Sequence, residues 1–162
     1  MEEAYIRVID VNFEYPDGTK ALIDINMDVY QGEFIALIGQ NGSGKTTLSK
    51  CLNGLYKPTT GDIVVDGLNS RKGSIVQLVR RVGYVFQNPD HQLFNSTCWD
   101  EIAIGPRNIQ LPEDEVKERV EEALNVVGLD TRFHQEHPFF LSKGLRQRVA
   151  IASILSLIHI SE

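Results

Sequence analysis

The chain of 162 residues is poor in several things, and each shortage excludes something. It has two cysteines, Cys51 and Cys98, and no CxxC pair. They read as reduced thiols, one in a helix and one in a loop, in a cytosolic protein. No apolar run approaches the roughly 18 residues a spanning helix needs. The nearest, Ala150 to Ile160, is interrupted by Ser153, Ser156 and His159. The opening MEEAYIRVID lacks a positive segment followed by an apolar one, so no signal peptide is expected. Basic charge is scarce too: 16 Lys and Arg against 22 Asp and Glu give a net charge of −6. That disfavours a nucleic-acid binder working by bulk charge, and nucleic acid is not an expected partner. Of four histidines, only His134 and His137 are close, without a Cys or acidic partner at metal-ligand spacing. They read as loop residues.

What is there fits one domain, or most of one. Ala4 to Asp10 alternates and Val11 to Tyr15 continues as strand, ending at the turn signal Pro16-Asp17-Gly18. Ile23 to Tyr30 alternates again, with Ile23, Ile25, Met27 and Val29 expected on one face. Phe34 to Ile38 is a continuous apolar run, the pattern of a strand buried on both faces. A Gly-rich loop and a helix from Thr46 to about Leu55 follow. Ile63–Val65 and Val82–Phe86 read as strands, and Ile75–Val79 as a short helix. From about Asn88 the pattern turns to helix and loop. Pro112 opens a helix with Val116, Val120, Ala123, Leu124 and Val127 at helical spacing and Gly128 as its stop. The acidic run along its other face, Glu113 to Glu122, reads as solvated surface. Ser142 caps a last helix. The class is α/β: a β-rich start, a phosphate loop after a buried strand, and a helical insertion.

Gly39-Gln40-Asn41-Gly42-Ser43-Gly44-Lys45-Thr46 fits the GxxxxGK[ST] phosphate loop. Gly42 and Gly44 let the backbone approach phosphate oxygens. Successive N–H groups then form an anion nest, and the next helix aims its positive end at the same charge. Lys45 is placed for the β- and γ-phosphates, and the Thr46 hydroxyl for Mg²⁺. This alone says nucleoside triphosphate and does not separate a kinase, a GTPase or a transport ATPase. A guanine-reading Asn-Lys-x-Asp is absent from the sequence.

With four further stretches in order, the chain resembles the nucleotide-binding domains of ATP-binding cassette (ABC) transporters over almost its whole length. The first stretch is FEYPDGTKAL, where the resemblance makes Tyr15 the aromatic that stacks on adenine; the plain alternative is a tyrosine packed in a hairpin. The second, TTGDIVVDG, is structural, and its Asp66 is read as a decoy for a Mg²⁺ carboxylate. The third is VGYVFQNPDHQLF, whose Gln87 would contact Mg²⁺ and the attacking water. The fourth is LSKGLRQRVAIA, similar to the signature LSGGQxQR. There Ser142, Lys143 and Gly144 would meet the γ-phosphate held by the opposite subunit. Lys143 and Leu145 depart from that pattern, and Leu145 cannot donate a side-chain hydrogen bond.

The resemblance implies an ABC-type P-loop core with an N-terminal antiparallel β subdomain and a helical subdomain, incomplete at the C-terminus. The core would run to about residue 87, the helical part over about 88–157, and residues 158–162 would be a non-native tail. ATP and Mg²⁺ would be bound by Tyr15, Gly39, Asn41, Gly42, Ser43, Gly44, Lys45, Thr46, Thr47 and Gln87, with Thr46 and Gln87 facing the metal. FQNPDHQLF and DEIAIGPRN look most like energy-coupling factor (ECF) importers of cobalt, nickel or vitamins. Expected partners are a second ABC ATPase subunit, identical or not, a transmembrane coupling subunit and a substrate-binding membrane subunit. The expected location is the cytoplasmic face of the membrane. Catalysis in the family also needs an apolar strand ending in Asp, followed by a Glu general base, beyond the signature helix. The sequence has LIHISE there, and neither His159 nor Glu162 is assigned a role. The literal 162-residue polypeptide is therefore expected to bind nucleotide without turnover and to be prone to aggregation.

Overall fold

The computed structural model describes residues 3–158. The chain divides into two compact units, Met1–Val82 and Gly83–Glu162.

The first unit is built on an antiparallel sheet of order β2-β1-β3-β4. Its strands are β1 (Ile6–Glu14), β2 (Lys20–Val29), β3 (Thr60–Val65) and β4 (Leu68–Asn69). The two stretches read at the start as successive strands are one, β1. Three register shifts interrupt its pairing with β2, two of them around Val11 and the third between Phe13 and Glu14. From the pair Val8↔Met27 to Val11↔Ile25, β1 spends an extra residue; from Val11↔Ile25 to Phe13↔Leu22, β2 does. The surplus residues are accommodated at Asp10 and Asp24, at φ 49° and 48°. Asn26 and Asn12 hold the kinks: Asn26 Oδ1 accepts the Asp10 N–H at 2.9 Å, and Asn12 Oδ1 accepts the Asp24 N–H at 3.0 Å.

This corrects the expected face of β2. Strict alternation puts Ile23 with Ile25, Met27 and Val29, but Ile23 is 63% exposed and Leu22 is buried. The bulge at Asp24 shifts the period by one residue, which moves every earlier side chain to the other face. The buried face carries Val8, Val11, Leu22, Ile63 and Val65. Against it pack Leu48 and Cys51 of α1 (Lys45–Leu52) and Leu78 of α2 (Ile75–Val79). Ile63 and Val65 have no exposed surface, and burial of each side chain contributes about 1.5–3 kcal/mol. Asp66 sits in the β3–β4 turn, where its carboxylate accepts from Arg81 Nε at 2.9 Å.

The expected strands at Phe34–Ile38 and Val82–Phe86 are not strands among the described residues. Phe34 and Ile38 are 97% and 94% exposed. A strand exists only as a paired ladder, and neither segment pairs with β1–β4. An apolar run announces the capacity for burial, not the neighbour that supplies it.

The second unit packs α3 (Cys98–Asn108), α4 (Glu113–Val126) and α5 (Lys143–Leu155). Its core includes Ile102, Val116, Val120, Leu124, Val149 and Ala152. Helix α4 follows its sequence pattern, with Pro112 before it and Gly128 at φ 63° after it. The sequence gives no clear sign of α3. Cys98, expected in a loop, is its buried first residue, and Pro106 lies inside it. Thr97 caps it by accepting the Asp100 N–H at 3.0 Å. Glu101 is a buried carboxylate of α3 whose Oε2 accepts the Phe94 and Asn95 N–H groups at 2.9 and 2.7 Å. Hydrogen bonding offsets the cost of burying that charge and holds the preceding loop. Ser153 and Ser156, which interrupt the apolar run of α5, turn inward: Ser156 Oγ donates to Ile102 O at 2.8 Å.

Candidate nucleotide-binding site

The phosphate loop ends in helix α1, whose N-cap is Gly44 in the left-handed region at φ 87°. No side chain caps this helix, so its first amides keep their donors for another acceptor. A Cβ on Gly44 would lie 2.4 Å from the Ala21 carbonyl oxygen, so only glycine fits. Gly42, at φ 84°, has open space around it. Lys45 folds back over the loop, its Nζ donating to Gly39 O and Gln40 O at 2.8 and 2.7 Å and to Ser43 Oγ at 3.3 Å. The ammonium thus sits amid the loop carbonyls, beside the free end of α1. Asn41 and Thr46 are exposed. The Thr46 side chain belongs to the first turn of α1.

Thr47 is the next residue, and it is buried. Its hydroxyl lies 2.8 Å from the Tyr15 hydroxyl. Tyr15 also packs edge-on against Phe13 at 5.0 Å and Tyr56 at 6.1 Å. The structure therefore brings Tyr15 to the phosphate-loop helix, although 32 positions separate it from Thr47. Its ring is partly exposed, and its hydroxyl and two ring contacts fix its tilt. The Tyr15–Thr47 bond could not be read from the sequence, because nothing in either local pattern refers to the other.

In the second unit, Gln87 is exposed between the half-buried Phe86 and Asn88. Ser142 is the N-cap of α5 in extended backbone, its Oγ accepting the Leu145 N–H at 3.4 Å. Ser142, Lys143 and Gly144 are all exposed, so the helix start is open to a ligand. Leu145, the departure from the signature pattern, packs against the core of this unit. Arg148 closes the end of α4, its Nη1 donating to Val127 O and Gly128 O at 3.3 and 3.0 Å. Both thiols are buried, and burial pushes Cys51 and Cys98 up to about 11. They are poor nucleophiles near neutrality. Among the described residues no cluster of three or more His, Cys, Asp or Glu is placed to hold a metal. His159 and Glu162 lie outside the described residues, as does all of the expected tail but Ile158.

The family model described as ABC transporter matches residues 22–157, most of the chain. The chain belongs to this ABC transporter family. An ABC transporter ATP-binding protein of Caldanaerobacter subterraneus subsp. tengcongensis is 53% identical over 154 residues, covering 95% of this chain and 27% of that protein. The energy-coupling factor transporter ATP-binding protein EcfA of Methanothermobacter thermautotrophicus is 47% identical, covering 94% of this chain and 49% of EcfA. Among solved structures, CbiO1 of Clostridium perfringens, part of the ABC transporter complex CbiONQ, superposes with a TM-score of 0.84 at 39% identity. That match covers 96% of this chain and 62% of CbiO1. The ABC chain thus spans a quarter to three-fifths of the length of these relatives. No described helix is long and apolar enough to cross a membrane.

Proposed function

We propose that this ABC chain is the ATP-binding part of an ECF-type importer subunit. The single observation that carries nucleotide binding is the uncapped start of α1, with Lys45 and the exposed Thr46 beside it. Gly39 to Thr46 would hold the phosphates, Lys45 would balance their charge, and Thr46 would hold Mg²⁺. Mg²⁺ would neutralise phosphate charge and fix its geometry. Tyr15 would face adenine, Thr47 would steady both Tyr15 and the loop helix, and Gln87 would orient water and metal. Ser142, Lys143 and Gly144 would take the γ-phosphate of a second subunit at the helix start. In the complete protein, hydrolysis would drive uptake of a metal ion or vitamin through membrane subunits at the cytoplasmic face. The EcfA and CbiO1 relatives support this importer reading.

Two other readings are a soluble ABC ATPase without a transport role and, for residues 1–162 themselves, nucleotide binding without turnover. The second concerns residues 1–162 alone and leaves the activity of the complete protein as proposed above. Titration with a fluorescent ATP analogue tests the binding: the wild-type chain binds in a Mg²⁺-dependent way and Lys45→Ala binds about 100-fold more weakly. Equal binding by both would remove the role of the loop. Co-purification with an integral membrane subunit, rather than with nucleic acid, separates importer from soluble ATPase. Mg²⁺-dependent phosphate release by residues 1–162 would overturn the no-turnover reading.

A further inference from the structure

Helix α1 holds Tyr15 from two points. The Tyr15 hydroxyl meets the Thr47 hydroxyl at 2.8 Å, in the first turn of α1. The Tyr15 ring stands nearly perpendicular to those of Phe13 and Tyr56, at 85° and 87°. Phe13 and Tyr56 are themselves stacked, with centroids 5.2 Å apart and planes 11° from parallel. Tyr56 docks at the far end of the same helix. Its backbone N–H donates to Lys50 O at 3.0 Å. The Lys50 ammonium lies 5.0 Å from the centre of the Tyr56 ring and 3.5 Å from its hydroxyl. Thr47 and Lys50 are three residues apart and so share one face of α1. That face reaches Tyr15 directly through Thr47, and again through Lys50 and Tyr56.

The backbone around Tyr15 is held as well. Tyr15 N–H donates to Thr19 O and Gly18 N–H to Tyr15 O, both at 2.9 Å, which closes a tight turn. The Glu14 N–H donates to Thr59 Oγ1 at 2.9 Å, and the Thr59 N–H to Asn12 O at 2.8 Å. Thr59 lies three residues beyond Tyr56, so the segment carrying Tyr56 is tied alongside the end of β1. Filling the space at position 56 needs only an apolar side chain. It does not need a ring set at right angles to Tyr15, nor a lysine engaged with that ring.

We propose that Tyr56, Phe13 and Lys50 are positioning residues that preset the Tyr15 ring for a nucleobase before nucleotide arrives. The proposal rests on the reading that Tyr15 faces adenine. A side chain already held in its bound orientation loses less freedom on binding, and the difference appears as affinity. Helix α1 then serves both ends of the ligand. Its uncapped start is left for phosphate, and its Thr47–Lys50 face holds the ring that meets the base. The contribution of Tyr56 belongs to the base alone, because Tyr56 lies outside the stretch Gly39 to Thr46.

Two probes separate base from phosphate. ATP and inorganic tripolyphosphate are each competed against the fluorescent ATP analogue with Mg²⁺, in wild type, Tyr56→Leu, Tyr56→Phe and Lys50→Met. Tyr56→Leu is expected to weaken ATP about fivefold and leave tripolyphosphate unchanged. Tyr56→Phe, which keeps the ring, should restore most of the ATP affinity. Lys50→Met should weaken ATP alone, by about twofold. Equal weakening of both probes would mean a packing role and would overturn the proposal, as would unchanged ATP affinity in Tyr56→Leu. If Tyr56→Leu does not fold, Lys50→Met decides by the same split. Without nucleotide, NMR relaxation of isotope-labelled tyrosine rings reads Tyr15 itself. Wild type should show an ordered Tyr15 ring and Tyr56→Leu a mobile one; equal order in both would overturn the proposal. Failure of wild type to bind the analogue at all would sink the proposed function, and the nucleotide-free arm would still decide the positioning. Wild type that binds ATP no more tightly than tripolyphosphate would remove the adenine reading of Tyr15, and this proposal with it.

Discussion

Helices α1 and α5 begin in opposite ways. At α1 the N-cap is a glycine in the left-handed region with no side chain to offer, and the amides of the first turn go unused by the protein. At α5 the N-cap is Ser142 in extended backbone, and its hydroxyl takes one of those amides for itself. The first start trades local stability for an open cradle. The second is stable by itself and still exposed, so a ligand there would meet a hydroxyl as well as a helix end. The difference teaches that a helix N-terminus is not one kind of site. What occupies the cap decides whether an anion completes the helix or only docks beside it.

The largest test of this contrast is Lys45→Ala. Removing the ammonium should weaken ATP-analogue affinity by about 100-fold, equivalent to ~2.7 kcal/mol, with little change in thermal midpoint. A comparable loss from Ser142→Ala would erase the distinction between the two starts. Gly44→Ala comes next. The left-handed backbone and the overlap with Ala21 O should cost about 1–3 kcal/mol of stability and disable binding, read by calorimetry and titration. An unchanged melt would show that the loop relaxes freely. Ser142→Ala should cost about 1 kcal/mol by loss of the cap, leaving nucleotide affinity of the monomer untouched. The smallest effect is an expected silence. Cys51 lies in α1 and its thiol is buried and pushed up to about 11, so alkylation at pH 8 should be slow in folded protein. Rapid labelling of Cys51 would show that α1 opens along with its loop.

Much of the site was legible because it is local. Gly39 to Thr46 lies within a short stretch, and the tasks proposed for it are local ones: glycine for backbone freedom, lysine for charge, threonine for metal. Ser142 was legible for the same reason, as a cap ahead of an apolar-periodic helix. Helix α4 was too, from Pro112 to Gly128. The misses share a cause as well. Alternation places Ile23 on the wrong face because a bulge is a pairing event, visible only when β1 lies beside β2. Helix α3 was hidden by Pro106, which lowers local helix propensity but is buried against its neighbours. Tyr56 and Thr59 carried no signal, since each matters through a partner far along the chain.

The sequence by itself determined the local features: a glycine-rich loop running into a helix, a lysine and a threonine at that helix start, a serine-capped helix and two apolar units to hold them. Tertiary structure decided which of these are fixed to one another. It set Tyr15 against Thr47 and Tyr56, and closed α4 with Arg148. It also left Phe34 and Ile38 exposed where the pattern called for a buried strand. Period and propensity are properties of a few consecutive residues. Pairing, burial and side-chain bridges are properties of residues brought together by the fold, and no short window of sequence contains them.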